Sequence, residues 1–396
     1  MRVDYVEARA IVDTRGRPTV ETTIAAHALT ATASVPAGKS TGTHEAVELR
    51  DTDGGVAAAI ENVNTTIRHA LVGRRFETLD ELDTYLIELD GTPNKARLGA
   101  NAILSVSIAA QRLAALLADE PLWRNIARRV NAAPAAPHLY MNVMNGGVHA
   151  DFKLPFQEYI LVIEGETSSA LATGREAFAK LGEKLGADTP MGDEGGYAPS
   201  FDTLERPFEI LTEIAAHFSN VSLAIDAAAS EFYKDGSYML LGTPYSADQL
   251  TTIYRSISEK YAIHSIEDPF DEEAAPDFTR LTEQLGNKLL IVGDDFTVTN
   301  PARIKKAAAE KAVNAVLIKP NQIGTVMEAL QAVADTRALG WQPIASHRSG
   351  ETLDTFIADF AYGTGCHGIK AGGLGQRERL EKYERLLAIE QEAKVV

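Results

Sequence analysis

The sequence predicts an α/β protein in which a small α+β unit precedes a parallel barrel of alternating strands and helices, and three observations carry that reading. Short β-branched runs recur through the second half of the chain at intervals of 23 to 41 residues, and each ends on a polar or ionisable residue. Helix-like stretches such as NPARIKKAAAEKAV and TVMEALQAVADTRAL separate the runs, as in βα units. The length, 396 residues, is more than one hydrophobic core usually serves.

The elements follow in order. Residues 17–35, RPTVETTIAAHALTATASV, carry Thr, Val and Ile with partial alternation, which predicts a hairpin on a half-buried sheet. From Val56 to Leu117 the spacing becomes helical, with GANAILSVSIAAQRLAALLA as its most apolar part and Pro121 as a breaker beyond it. These elements make an α+β unit over 1–125. NAAPAAPHLY at 131–140 reads as the connection into a second unit, 126–396. There the runs are VSLAI before Asp226, AIHSI before Glu267, LLIVG before Asp294, AVLI before Lys319, QPIAS before His347 and CHGI before Lys370. A doubly wound open sheet has the same alternation but gathers its chemistry at one switch point. Reactive groups after six consecutive runs fit a barrel, whose active groups sit at the C-terminal strand ends.

Composition narrows the function classes. Thirty-eight Lys and Arg against fifty-five Asp and Glu give a net charge of −17, which argues against a general nucleic-acid or anionic-membrane binder. The single cysteine, Cys366, forms no intrachain disulfide, and no stretch reads as a signal core or a membrane span, so a cytoplasmic protein is expected.

Asp226, Glu267 and Asp294 at three strand ends of one barrel converge on a common point. Their hard oxygen ligands suit Mg²⁺, and Asp268 and Asp295, each adjacent to one of them, leave the ligand open by one residue. Lys319 and Lys370 end apolar strands, where an amine is costly unless it faces a polar cavity. Next to a divalent cation their pKa values are expected to fall, which would free a neutral base. His347, Arg348 and Ser349 form one loop of donors suited to a phosphate. Glu194 in GDEGG, His149 in NGGVHA, and Gln157 with Glu158 read by themselves as polar loop groups. AxxxxGKS from Ala33 to Ser40 fits a relaxed phosphate-loop pattern, but Ala33 replaces the first glycine and Pro36 removes a cradle N–H.

The motifs DTRGRPTVE, PAGKSTGTHEAVELRD, NGGVHADFKLPFQEY, GDEGG, SIEDPF, GDDFTVTNP, IKPNQIGT, SHRSGET and ERLEKYERLLAIE, in this order over nearly the whole chain, resemble the enolase family. The resemblance implies an N-terminal α+β domain capping a modified (β/α)₈ TIM barrel, a homodimer, and Mg²⁺-dependent dehydration of 2-phosphoglycerate, a small phosphorylated anion, to phosphoenolpyruvate. Carried over position by position, it implies that Asp226, Glu267 and Asp294 hold one Mg²⁺ and that Ser40 joins a second, substrate-bridged ion. Lys319 corresponds to the base and Glu194, with Glu158 beside it, to the acid. His149, Gln157, His347, Arg348, Ser349 and Lys370 match the substrate-facing positions.

The chain departs from the family pattern at Ala37 and Lys39 in the first loop, at Val148, Asp151, Phe152, Pro155 and Phe156 in the second, and at Ala371, Gly372 and Gln376 after Lys370. Lys39 precedes Ser40 and is read as a cation facing the phosphoryl end of the substrate. That placement raises an alternative substrate, a phosphorus-substituted analogue (carboxyphosphonoglycerate giving carboxyphosphonoenolpyruvate).

Overall fold

The computed structural model describes residues 1–39, 41–150 and 154–395. Strands β1 (Tyr5–Val12), β2 (Pro18–Ala26) and β3 (Leu29–Ser34) form an antiparallel sheet in that order. The β2–β3 pair is the predicted hairpin, and His27 turns it with φ 53°. The helix Ala100–Leu117 packs across β2 and β3. It is 18 residues long with mean hydropathy 1.5, so it has the length and apolarity of a membrane span, contrary to the expectation that no stretch comes near one. Most of it is buried inside this domain, and its Ser105 hydroxyl bonds Thr22 on β2 at 2.6 Å. The span-like composition is that of a core helix. Among the described residues no helix follows β3 until Ala57, so the segment from Ala33 does not show the helix that a phosphate loop opens.

The second part is a closed barrel of eight strands. These are β4 (His138–Asn145), β5 (Glu158–Ile163), β6 (Val221–Asp226), β10 (Ile263–Glu267), β11 (Leu290–Gly293), β12 (Ala315–Ile318), β13 (Gln342–Ser346) and β14 (Gly368–Lys370), with β14 closing onto β4. A small sheet of β7 (Tyr233–Lys234), β8 (Ser237–Leu240) and β9 (Thr243–Tyr245) follows β6 as an insertion. The alternating rhythm implies a wholly parallel barrel, and here the structure differs. β5 runs antiparallel to both neighbours, with Glu158 opposite Asn145 on one side and Asp226 on the other. The reason lies in the connection. Among the described residues between β4 and β5 only one turn, Gly147–Ala150, is helical, and a parallel return normally needs a crossover helix.

Two helices, Thr167–Leu185 and Arg206–Ala215, then carry the chain from β5 to β6. Tyr140, Ile160, Val162, Ala224, Val292, Ala315, Leu317 and Ile344 fill the barrel interior, so it is a packed core rather than a pore. Local chemistry sets the helix starts. Ser246 and Gln249 form a capping box, Asn300 caps a helix opened by Pro301, and Thr325 accepts from the Glu328 N–H. Across the two parts, the Arg112 guanidinium of the N-terminal helix clamps Asp354 in the loop beyond β13 through two 2.7 Å contacts.

Candidate active site

All six residues that end the predicted runs stand on one rim. Asp226, Glu267 and Lys370 are the last residues of β6, β10 and β14, and Asp294, Lys319 and His347 immediately follow β11, β12 and β13. Because β5 is inverted, its first residue, Glu158, joins the same rim. His149, Gln157, Glu158, Glu194, Asp226, Asp294, Lys319, His347, Arg348, Ser349 and Lys370 line one cavity, together with Asp268 and Asp295. Glu267 reaches the cluster through Lys370. Ser40 lies outside the described residues.

Carboxylates crowd the floor of this cavity. The Lys370 ammonium lies 3.1 Å from Glu158, 3.0 Å from Asp226 and 2.8 Å from Glu267, all buried. Lys319 donates to Asp294. Burial opposes both ammonium charges, yet Asp294 holds Lys319 above the ordinary lysine range, and Asp226, Glu158 and Glu267 hold Lys370 well above it. The sequence reading expects these values to fall. It counts the cation's charge and not that of the acids that would bind the cation, and the acids dominate in the chain itself. Burial and neighbouring carboxylates push Glu267 well above its usual range.

Glu158 and Glu194 form a second acidic group beside His149. Burial, then the facing charge of Glu194, raises Glu158. Burial opposes the charge of Glu194 as well, but His149, His347, Arg379 and a hydrogen bond from Glu158 outweigh it and hold Glu194 well below the usual range. The GDEGG loop makes this possible because it is packed backbone to backbone. A Cβ on Gly373 would sit 2.3 Å from the Gly195 carbonyl, and Gly195 itself has φ +77°. Asn142 of β4 donates to Glu194 at 3.0 Å. Both ring nitrogens of His149, Gln157 Oε1 and Glu158 Oε2 are buried without a hydrogen-bond partner among the described residues. Polar atoms left in this way around one cavity are those a polar ligand would satisfy.

Two family models match the chain, "Enolase, N-terminal domain" over residues 3–126 and "Enolase, C-terminal TIM barrel domain" over residues 134–395. The chain belongs to the enolase family. It is 44% identical to the enolase of Methanopyrus kandleri over 414 aligned positions, which cover 99% of this chain and 96% of that protein. Membership makes it a hydro-lyase of enolase type.

The residues fit the hard cation that an enolase uses. Carboxylates stand at the ends of adjacent strands β6, β10 and β11, and the ammonium groups of Lys370 and Lys319 already lie against them as cations. The oxygens of Asp268, Asp294 and Asp295 also lie within 4.8 Å of one another. Asp268 is occupied otherwise, since its two oxygens accept from the backbone N–H of Asp294 at 2.8 Å and of Asp295 at 2.7 Å. It therefore sets the direction of its neighbours, which favours Glu267 over Asp268 as the ligand.

Lys39 does not line the cavity. Its ammonium bonds the Asp193 carboxylate at 2.6 Å and the Val148 carbonyl at 2.7 Å, tying the first loop to the two loops that carry Glu194 and His149. Sequence reasoning also missed several supports of this enolase site. Glu45 grips Arg348 at 2.8 and 3.0 Å, Gln322 donates to Asp294 at 2.9 Å, and Arg379 packs wholly buried behind His347. Glu45 stands within the motif PAGKSTGTHEAVELRD and Arg379 within ERLEKYERLLAIE, so the motifs contain them without marking their partners.

Proposed function

We propose that this enolase-family chain dehydrates 2-phosphoglycerate to phosphoenolpyruvate. The observation that carries the proposal is the disposition of base and acid. β12 and β5 are four strands apart in an eight-stranded ring, so Lys319 and the Glu158–Glu194 group face each other across one cavity. Removing a proton from one face of a substrate and hydroxide from the other requires this opposition.

Lys319 takes the proton from the carbon next to the carboxylate. The electron pair forms the new double bond as the bond from carbon to the hydroxyl oxygen breaks. Glu158, whose carboxyl burial raises, holds the proton, and Glu194 relays it to the departing hydroxide, which leaves as water. Asp226, Glu267 and Asp294 would hold one Mg²⁺, and Ser40 would join a second ion that arrives with the substrate. Bound there, the ions supply positive charge against the doubly ionised carboxylate that develops. Arg348, Ser349 and Lys370 bind and orient the anion, and His149 and Gln157 offer the unsatisfied polar atoms noted above. Lys319 must be neutral to act, and it would lose the partner that holds its proton if Asp294 served as a ligand of the cation instead.

The pairing of Lys39 with Asp193 favours the ordinary substrate over the phosphorus-substituted analogue, because the charge that motivated the analogue is directed to a loop. The test is the absorbance of the enol product with 2-phosphoglycerate and Mg²⁺, run beside carboxyphosphonoglycerate. Turnover of 2-phosphoglycerate with the higher specificity constant is expected. Turnover of the analogue alone would replace this reading.

A further inference from the structure

Arg379 is fully buried in the C-terminal helix Arg377–Val395, and its guanidinium points out of that helix into the loop after β13. Its Nη1 lies 2.5 Å from His347 Nδ1 and 2.6 Å from the Arg348 carbonyl, and its Nη2 lies 2.7 Å from the Ser349 carbonyl. Three consecutive loop residues are thus held by one side chain. Its Nε donates to Gln376 Oε1 at 3.2 Å. Gln376 is one of the departures from the family pattern, and its own amide donates to the Asp193 carbonyl beside Glu194 at 3.1 Å.

A guanidinium has five donors and no acceptor, and it does not deprotonate in proteins. The ring nitrogen facing it must therefore present a lone pair, which leaves the proton of a neutral His347 on Nε2. That nitrogen faces Glu194 Oε2 at 3.6 Å. We propose that Arg379 is a positioning residue that locks His347 as the neutral Nε2–H tautomer, so that His347 serves only as a hydrogen-bond donor toward Glu194 and the leaving-group side of the cavity.

A second proton on His347 would have to enter between Nδ1 and a fixed cation. Burial disfavours the imidazolium, Glu194 favours it, and the charges of Arg379, Lys370 and Lys319 disfavour it again, so that the balance puts the ring well below the usual histidine range. A histidine whose tautomer is set by its far-side partner is a general device of active sites. Here the partner is a cation, where a carboxylate or carbonyl would select the opposite tautomer. The role of the donated hydrogen bond rests on the proposed function, whereas the tautomer does not.

The test is ¹⁵N NMR of histidine-labelled full-length protein with Mg²⁺ between pH 6 and 8, with His347 assigned by the signals lost in His347→Gln. The expected spectrum is an unprotonated Nδ1 and a protonated Nε2 that do not titrate. An Nδ1–H tautomer or an imidazolium in this range would overturn the proposal whatever the substrate proves to be. Arg379→Lys keeps a donor and should preserve the tautomer. Arg379→Leu should give mixed tautomers, a new ionisation on the acid limb of kcat, and a fall in kcat of roughly 10- to 100-fold. Equal losses in both variants with the tautomer unchanged would reduce Arg379 to a packing residue. If Arg379→Leu does not fold, the parent spectrum and the lysine variant decide the matter.

Discussion

The ion pair between Arg112 and Asp354 offers a prediction whose size can be worked from contacts. Asp354 accepts four hydrogen bonds: from the two Arg112 nitrogens at 2.7 Å each, from the Ser34 N–H at 3.0 Å and from the Phe356 N–H at 2.8 Å. In Asp354→Asn one carboxylate oxygen becomes an NH₂ group, and the charge is lost. Placed on the Oδ2 side, the amide meets both Arg112 Nη1 and the Ser34 N–H, two donors. Removing one member of a buried pair typically costs about 3 to 5 kcal/mol, and because the Arg112 side chain keeps 20% exposure the lower end, about 3 kcal/mol, is expected. In equilibrium urea unfolding this shifts the midpoint down by roughly 1 M.

The pH dependence supplies a second reading of the same pair. Burial opposes the charge of Asp354, but Arg112 outweighs it and holds the carboxyl below its usual value. The stabilisation is therefore complete above the unfolded-state value of about 3.9 and is lost as pH falls through the lower folded value. The gap between parent and Asp354→Asn should be widest near neutrality and close in acid. Equal midpoints at pH 7, or a gap that persists unchanged below pH 3, would refute the reasoning.

Asp226→Asn, Glu267→Gln and Asp294→Asn should each abolish Mg²⁺-dependent turnover while leaving the far-UV circular dichroism unchanged, and full turnover in excess EDTA would count against the ligand assignment. Solvent exchange at the substrate carbon should vanish in Lys319→Ala and survive in Glu194→Gln, whose block lies after proton removal; exchange in the lysine variant would show another base. Glu45→Gln should raise KM about tenfold with a smaller change in kcat, because Arg348 loses the buried anion that aims it, and an unchanged KM would mean that Arg348 needs no such aim. Lys39→Ala should alter the specificity constants for both candidate substrates less than about fivefold, since a half-exposed pair contributes at most about 1 kcal/mol. A large loss confined to the phosphorus-substituted substrate would restore the alternative.

What could be read from the sequence follows from distance along the chain. The six rim residues were legible because each is an ionisable group that ends an apolar run, a purely local pattern. The inversion of β5 was not, because strand direction depends on the length of the connection, and the run at 158–163 looks like any other buried strand. The partners were hidden for a different reason. Arg348 and Glu45 are 303 residues apart, and a glutamate in a loop carries no local sign that it will meet an arginine. The pKa directions of Lys319 and Lys370 depended on counting acids contributed by β5, β6, β10 and β11 at once. Lys39 was visible as an oddity, but its partner Asp193 is read from the sequence only as the residue before Glu194.

The reversed strand in the barrel changes how the chain near the pocket is anchored. From β6 onward each barrel strand is joined to the next, parallel strand through at least one helix, so each rim loop is tied to the rim at one end and to a helix at the other. The segment from Asn145 to Glu158 begins and ends on the rim, stapled by the pairing of those two residues. Both of its ends are fixed in the same wall, so its contour is short and the entropy of closing it is already met by the hairpin. His149 and Gln157 can change position only within that short span. Substitutions at Val148, Pro155 or Phe156 can therefore reshape the rim locally while the far side, with Lys319 and Asp294, stays where it is.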